Sequence, residues 1–146
     1  GNHHLVSKCI EGNFPNYRQV IPAYTPDLAT FSSDNRAAVI KWLRGLPDTQ
    51  HGVHLSWEKK GHLTRTQSTE SDGKSVLRVP VEIEGKPPVI AFHPRYLAEG
   101  LEIGSTLCLV DELSPGICRN PNGRFCVIMP MRVTIDTAKA VQSAAA

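Results

Sequence analysis

The sequence lacks any apolar run that approaches the ~20 residues a membrane-spanning helix requires, and no hydrophobic signal-peptide segment follows Gly1. Its net charge is only +2 at pH 7, so no global basic field predicts a nucleic-acid partner. Hydrophobic residues make up 40% of the 146 residues, which excludes wholesale disorder. These properties predict one globular, cytoplasmic unit with a single sizeable core and no membrane partner.

Metal-site spacing is also missing. No C-x-x-C pattern connects the four cysteines, which are Cys9, Cys108, Cys118 and Cys126. Reduced thiols, three of them in strands, are therefore favoured over a metal site. A second set of candidate ligands is His51, His54, Glu58 and His62. This stretch alternates apolar and polar residues, which predicts a strand with His54, Ser56 and Glu58 facing solvent. At ~3.3 Å per residue, His54 and Glu58 would stand about 13 Å apart, too far to share one ion, so no metal or cofactor is expected.

The same order of predicted elements occurs twice, about sixty residues apart. The first copy is a strand over 27–31, a helix over 35–46 capped by 32–34, and strands over 52–59, 62–69 and 76–84. The second copy is a strand over 89–92, a helix over 95–102 that follows Pro94, and strands over 106–112, 116–119 and 124–133. This duplicated strand–helix–three-strand unit predicts an α+β domain with two helices packed on antiparallel sheet.

Two segments carry long motifs. Residues 10–22 have the sequence I-E-G-N-F-P-N-Y-R-Q-V-I-P, and residues 125–133 have the sequence F-C-V-I-M-P-M-R-V. Their pattern and order resemble the third domain of the bacterial DNA sliding clamp, the beta subunit of DNA polymerase III. The resemblance implies a DNA-clamp fold, in agreement with the duplicated unit. It also implies that 1–20 is the end strand of a preceding domain with its connector, that 21–133 is the clamp-like domain, and that 134–146 is a C-terminal tail.

The second motif predicts a binding edge. Pro130 cannot donate to a sheet ladder, and the methionines beside it are adaptable side chains suited to a groove for varied apolar partners. The resemblance implies a hydrophobic pocket for short peptides of DNA polymerase, the clamp loader and repair proteins. Its implied residues here are Pro15, Val20, Val127, Ile128, Met129, Pro130, Met131 and Arg132. One of the two methionines is predicted to be a core residue instead.

The first predicted helix is amphipathic, with Lys41 and Arg44 opposite an apolar face formed by Val39, Trp42, Leu43 and Leu46. The resemblance implies that such helices present basic side chains to double-stranded DNA, in a weak and sequence-independent contact. The candidates are Lys41, Arg44 and Arg95, although Glu99 and Glu102 offset Arg95. A merely solvated face is the alternative.

A subunit contact is also implied by the resemblance. The run over 36–40 is similar to the surface through which the family forms a ring-shaped homo-oligomer, which places Val39 and Ile40 at an interface. The alternative is that both side chains only complete the core.

No nucleophile–base pair, phosphate-cradling glycine loop or metal-ligand set is recognisable in the sequence, so an enzyme is not expected. The resemblance implies a DNA polymerase processivity factor, or its C-terminal domain, that encircles DNA and binds partner peptides. The second hypothesis is a stand-alone clamp-derived adaptor that binds the same peptides without encircling DNA.

Overall fold

The computed structural model describes residues 4, 6–8, 12–13, 16–22, 27–46, 52–57, 62–64 and 77–132. A short 3-10 helix, Tyr17–Val20, precedes strands and helices in the order β1 Asp27–Thr30, α1 Ser33–Arg44, β2 Val53–Trp57, β3 His62–Thr64, β4 Arg78–Pro80, β5 Glu82–Ile83, β6 Ile90–Phe92, α2 Pro94–Ile103, β7 Thr106–Cys108, β8 Gly116–Arg119 and β9 Phe125–Ile128. The predicted tail over 134–146 lies outside the described residues. The few described residues before Tyr17 lie in no strand, so the implied end strand of a preceding domain stays a prediction.

The two repeated units exchange their first strands. One sheet has the strand order β5-β1-β7-β8-β9 and the other has the order β4-β3-β2-β6, with every described pair antiparallel. β1 of the first unit pairs with β7 of the second, and β6 of the second unit pairs with β2 of the first. Each sheet therefore contains strands of both units, and the predicted duplication is confirmed.

The last strand of each unit crosses between the sheets beside a proline. In the first unit β4 pairs with β3, whereas β5, after Val81, pairs with β1 of the other sheet. In the second unit β9 pairs with β8, and Met131 then bridges to Ala91 of β6, donating its N–H to the Ala91 carbonyl at 2.7 Å. Pro80 and Pro130 lie at these crossings. The predicted continuous strands 76–84 and 124–133 are interrupted there, because proline has no N–H for a ladder.

Both helices pack on antiparallel sheet, as the duplicated pattern predicts. α1 begins two residues earlier than predicted because the Ser32 hydroxyl accepts the Asn35 N–H at 3.4 Å and caps the first turn. α2 begins at Pro94, the predicted first helical position. The core of the described residues is formed mainly by Phe31, Val39, Leu43, Val53, Leu55, Ile90, Phe92, Leu97, Leu101, Leu107, Leu109 and Ile128. Each such side chain contributes about 1.5–3 kcal/mol on burial.

β2 is covered on both faces. His54 and Ser56 are only 9% and 5% exposed, so the prediction that they face solvent is wrong. The strand lies between β3 and β6 in its sheet, and residues 53–56 are buried on both of its faces. A Cβ added to Gly52 would stand 3.2 Å from both the Ala91 Cβ and the Met131 sulfur. Polar alternation therefore does not mark exposure in this central strand.

The loop after β7 is held by one carboxylate. Asp111 accepts the N–H groups of Leu113 and Ser114 at 2.8 and 2.6 Å, and the Ser114 hydroxyl at 2.7 Å. This turn ends the predicted strand 106–112 at Cys108, four residues early. The hydrogen bonds, the Ser114 hydroxyl first, lower the pKa of Asp111 from its ordinary value of 3.8.

Two glycines allow α2 to approach the sheet. A Cβ on Gly104 would lie 2.3–2.5 Å from backbone atoms of Arg119, a distance that no side chain tolerates. A Cβ on Gly100 would lie 2.5 Å from the Ile128 Cδ1 and 3.0 Å from the Cys118 Sγ. The helix therefore ends directly against β8 and packs closely on β9.

We expect Gly104→Ala to destabilise the fold by about 2–4 kcal/mol, because the β8 backbone must shift to admit the methyl group. Urea unfolding midpoints measure this loss. Gly45→Ala is the matched control: its Cβ would meet atoms only at 3.5 and 3.6 Å, so it should change stability by less than about 0.5 kcal/mol. Equal effects of the two substitutions would contradict the close approach.

The Asp111 turn should be lost in acid. A carboxyl group whose pKa is lowered by folding stabilises the folded state at pH values above its unfolded-state pKa. This stabilisation is lost as the pH falls through the folded-state pKa. Hydrogen-exchange protection of the Leu113 and Ser114 amides should therefore fall below about pH 3.8 and should be absent at all pH values in Asp111→Ala. The Gly123 amide, bonded to the Asn120 carbonyl at 3.0 Å, is the internal control.

Candidate functional site

A cavity of about 510 Å³ lies beside the second crossing strand. Its lining is His93, Tyr96, Glu99, Cys126, Val127, Ile128, Met129, Pro130 and Met131. One wall is therefore the first turns of α2, and the other is β9 with the residues that carry the chain over to β6. We call this cavity the α2–β9 groove.

Two large hydrophobic side chains that line the α2–β9 groove are exposed to solvent. Tyr96 is 56% exposed and Met129 is 60% exposed, although both are large hydrophobic residues. The rings of His93 and Tyr96 contact each other, with centroids 4.9 Å apart. An aromatic ring opposite a flexible thioether suits recognition of an apolar ligand of variable shape.

At the equivalent place in the first unit, the helix is hydrogen-bonded to the crossing strand. Asn35 is the third residue of α1, as Tyr96 is the third residue of α2. The Asn35 amide donates a hydrogen bond to the Pro80 carbonyl at 2.8 Å, which ties α1 to the first crossing strand. In the second unit the crossing Pro130 lines a cavity together with Tyr96. The duplicated fold thus has two similar crossings, and the described residues form a groove at the second.

The predicted groove residues divide into three groups. The segment Val127–Met131 lines the cavity, but Ile128 is 3% exposed and belongs to the core floor. Met129 is exposed and Met131 is half-buried, so the prediction that one of the two methionines is a core residue is wrong. Val20, 49% exposed on the 3-10 helix, and exposed Arg132 are not among the lining residues. Pro15 lies outside the described residues.

The groove residues predicted from the sequence did not include the wall formed by α2. His93, Tyr96 and Glu99 are separated by three residues each and therefore share one side of the helix, away from the buried Leu97 and Leu101. The available signal was Tyr96, an aromatic residue outside the apolar face, at the position that Asn35 occupies in the first unit. Cys126 was also missed as a lining residue.

The groove contains one thiol with a raised pKa. Burial raises the pKa of Cys126, and the Glu99 carboxylate adds to the effect by opposing a second negative charge. Cys126 is accordingly a neutral, weakly polar group at neutral pH. The groove surface is therefore mainly apolar at this position.

The basic side chains of the helices are largely compensated. Lys41 is exposed, Arg44 forms an ion pair with Glu102 of α2, and Arg95 pairs with Glu99 at 3.0 Å. Glu102 therefore offsets Arg44, a pairing that the sequence did not predict. Both pairs are largely exposed, so each contributes little to stability.

The predicted interface residues differ in burial. Val39 is 0% exposed within this chain's own core, so its assignment to a subunit contact is wrong. It occupies the centre of the α1 apolar face, where the core takes the whole side chain. Ile40 is partly buried and packs against the core from its edge, so a contact through Ile40 stays a prediction.

Within the described ranges, no group of three or more His, Cys, Asp or Glu side chains could hold a metal ion. Neither of the two described α-helices is long and apolar enough to cross a bilayer.

Comparisons with known proteins identify relatives of one kind. The chain is 32% identical over 116 residues to the beta sliding clamp of Synechococcus elongatus, covering 78% of this chain and 31% of that protein. It is 32% identical over 136 residues to the beta sliding clamp of Caulobacter vibrioides, covering 88% of this chain and 36% of that protein. No protein-family model matches the chain.

Solved structures agree in fold. A crystal structure of the Caulobacter crescentus beta sliding clamp superposes with a TM-score of 0.71 at 30% identity, over 85% of this chain and 35% of that one. The chain thus spans about a third of the length of the proteins that it matches. In sequence and in fold, the chain is a relative of the bacterial beta sliding clamps and corresponds to part of one.

Proposed function

We propose that the chain acts as the peptide-binding part of a DNA polymerase processivity factor, without enzymatic activity. The observation that supports this most is the α2–β9 groove, an exposed apolar cavity in a fold whose relatives are sliding clamps. In this role the groove takes short apolar peptide segments of a polymerase, clamp loader or repair protein. A cytoplasmic location and a place in a ring-shaped homo-oligomer around DNA follow from the same role.

A crystal structure of a relative supports the peptide proposal. The Caulobacter crescentus clamp has been solved with polyethylene glycol bound to a region described as a proposed beta-motif tethering region. An extended, flexible, uncharged chain is the kind of ligand that an apolar groove with one aromatic ring and one exposed thioether accepts. Tyr96 and Met129 supply those two groups here.

The second candidate is the clamp-derived adaptor, which binds the same peptides without encircling DNA. The ion pairs of Arg44 and Arg95 favour it, because they offset two of the four cationic side chains on the two helices. Phosphate contacts depend on uncompensated cations and counterion release. The mass of the assembly in solution distinguishes a ring from an adaptor.

A peptide that contains leucine and phenylalanine should bind the α2–β9 groove weakly, because the groove supplies only one wall of the proposed pocket. We expect a Kd of about 1 mM, near −4 kcal/mol. Methyl NMR signals of Met129 and Met131 should shift during the titration. Tyr96→Ala should weaken binding about three- to tenfold through lost aromatic contact. Asn35→Ala, at the equivalent position of α1, should leave the affinity unchanged.

Unshifted methionine signals at peptide concentrations well above 1 mM would show that the groove does not serve this purpose. Equal weakening by Asn35→Ala and Tyr96→Ala would instead indicate a general loss of structure, which far-UV circular dichroism would reveal.

Any DNA contact should depend on the α1 surface and on salt. At about 10 mM salt, where charges interact over ~30 Å, Lys41→Glu with Arg44→Glu should abolish retention on duplex DNA of any sequence. Glu99→Gln with Glu102→Gln should increase retention, because it removes the two compensating carboxylates. Arg119→Glu with Arg124→Glu, on the β8–β9 hairpin, is the matched charge control. Retention that responds to the hairpin variant and not to the helix variants contradicts the proposal.

A further inference from the structure

The proposed site is a pair of thiols on two adjacent strands. Cys118 of β8 and Cys126 of β9 are direct partners in the antiparallel ladder. Directly opposed residues project from the same face of a sheet, with Cα atoms ~4.5–5.5 Å apart. A disulfide requires a Cα separation of ~4.4–6.8 Å, so the strand register alone brings the two residues within bonding range.

Both thiols lie on the side of the sheet that faces α2. The Cys118 sulfur lies 3.0 Å from the position that a Cβ on Gly100 would occupy. Cys126 lines the α2–β9 groove together with Glu99, one residue before that glycine. The two sulfurs are therefore neighbours beneath a single turn of helix.

Their access to solvent differs. Cys118 is completely buried, whereas Cys126 is only partly buried and opens into a cavity of about 510 Å³. A reagent can reach Cys126 first, and within the described part of the chain Cys118 is the cysteine directly opposite it on the neighbouring strand. This arrangement of one accessible and one protected thiol is that of an attacking and a resolving cysteine.

We propose that Cys126 and Cys118 form a reversible modification site for low-molecular-weight disulfides such as oxidised glutathione. Cys126 acquires the small thiol, and Cys118 then displaces it to form a cross-strand disulfide. The third described cysteine, Cys108, takes no part, because it is the register partner of Ile117 and so projects from the opposite face to Cys118.

The exchange balances in atoms and electrons. Cys126 loses a proton, its sulfur bonds to one glutathione sulfur, and the glutathione S–S bond breaks to release one glutathione, which takes up a proton. Cys118 then loses its proton and attacks the Cys126 sulfur, and the mixed disulfide breaks to release the second glutathione. Two protein thiols are oxidised by two electrons, and one glutathione disulfide is reduced to two thiols.

The surroundings make this exchange slow at neutral pH. Burial, then the Glu99 carboxylate, raise the pKa of Cys126, and burial raises the pKa of Cys118 well above its ordinary value. His93 and Tyr96 of α2 also face the cavity in front of Cys126. Because the thiolate is the reacting form, the rate should rise with pH, about tenfold per unit below the raised pKa.

The test uses the whole chain with Cys9→Ser, so that only the three described cysteines remain. The protein is exposed to oxidised glutathione at about pH 9, quenched with acid, alkylated and mapped by mass spectrometry. We expect a Cys118–Cys126 cross-link, with Cys126 reacting at least about tenfold faster than Cys108. Glu99→Gln should accelerate the first step, which a purely structural role of Glu99 would not do.

Two cysteine variants separate the steps. Cys118→Ala should stop the reaction at a persistent mixed disulfide on Cys126, and Cys126→Ala should leave Cys118 unmodified. Cys108→Ala is the matched buried control and should react as the unsubstituted chain does. A mixed disulfide that persists when Cys118 is present, a link through Cys108, or no reaction at Cys126 overturns the proposal.

Discussion

The close approach of α2 to the sheet at Gly100 determines how the surrounding side chains are arranged. Without a Cβ at this residue, the helix rests directly on Ile128 and Cys118. This contact brings the first turns of α2, with His93 and Tyr96, beside the second crossing strand and brings Glu99 beside Cys126. The α2–β9 groove and the thiol pair are therefore two results of one helix position.

The α2–β9 groove is a feature of the second unit, although the two units share the same order of elements. Both units have a proline at the crossing strand and a helix that starts beside it. Asn35 binds the Pro80 carbonyl in the first unit, whereas Tyr96 in the second unit contacts His93 and stays largely exposed. A single difference at the third helical residue therefore accompanies a hydrogen-bonded crossing in one half and a crossing that lines a cavity in the other.

The elements that the sequence predicted well are those fixed by local signals. Ser32, Pro94 and the apolar periodicity of α1 locate both helices within two residues, and the duplicated order indicates the antiparallel α+β architecture. The predictions that were wrong or incomplete concern contacts between segments that are distant in the sequence. His54 is buried in the folded chain, Glu102 pairs with Arg44 across the helices, and Tyr96 and Met129 line one cavity only after α2 docks on β9. Such pairings leave no local pattern in the chain.

The exchange of β1 and β6 also concerns how such a fold reaches its native state. Strand β1 and its partner β7 are separated along the chain by the rest of the first unit, β6 and α2. Their pairing therefore has a high contact order and is slow to form. Until then each half exposes unpaired strand edges. Half of the domain, as a separate chain, would complete its sheet only by exchanging first strands with a second copy. A symmetric dimer of two half-units would make the same kind of strand exchange between chains that this domain makes within one polypeptide.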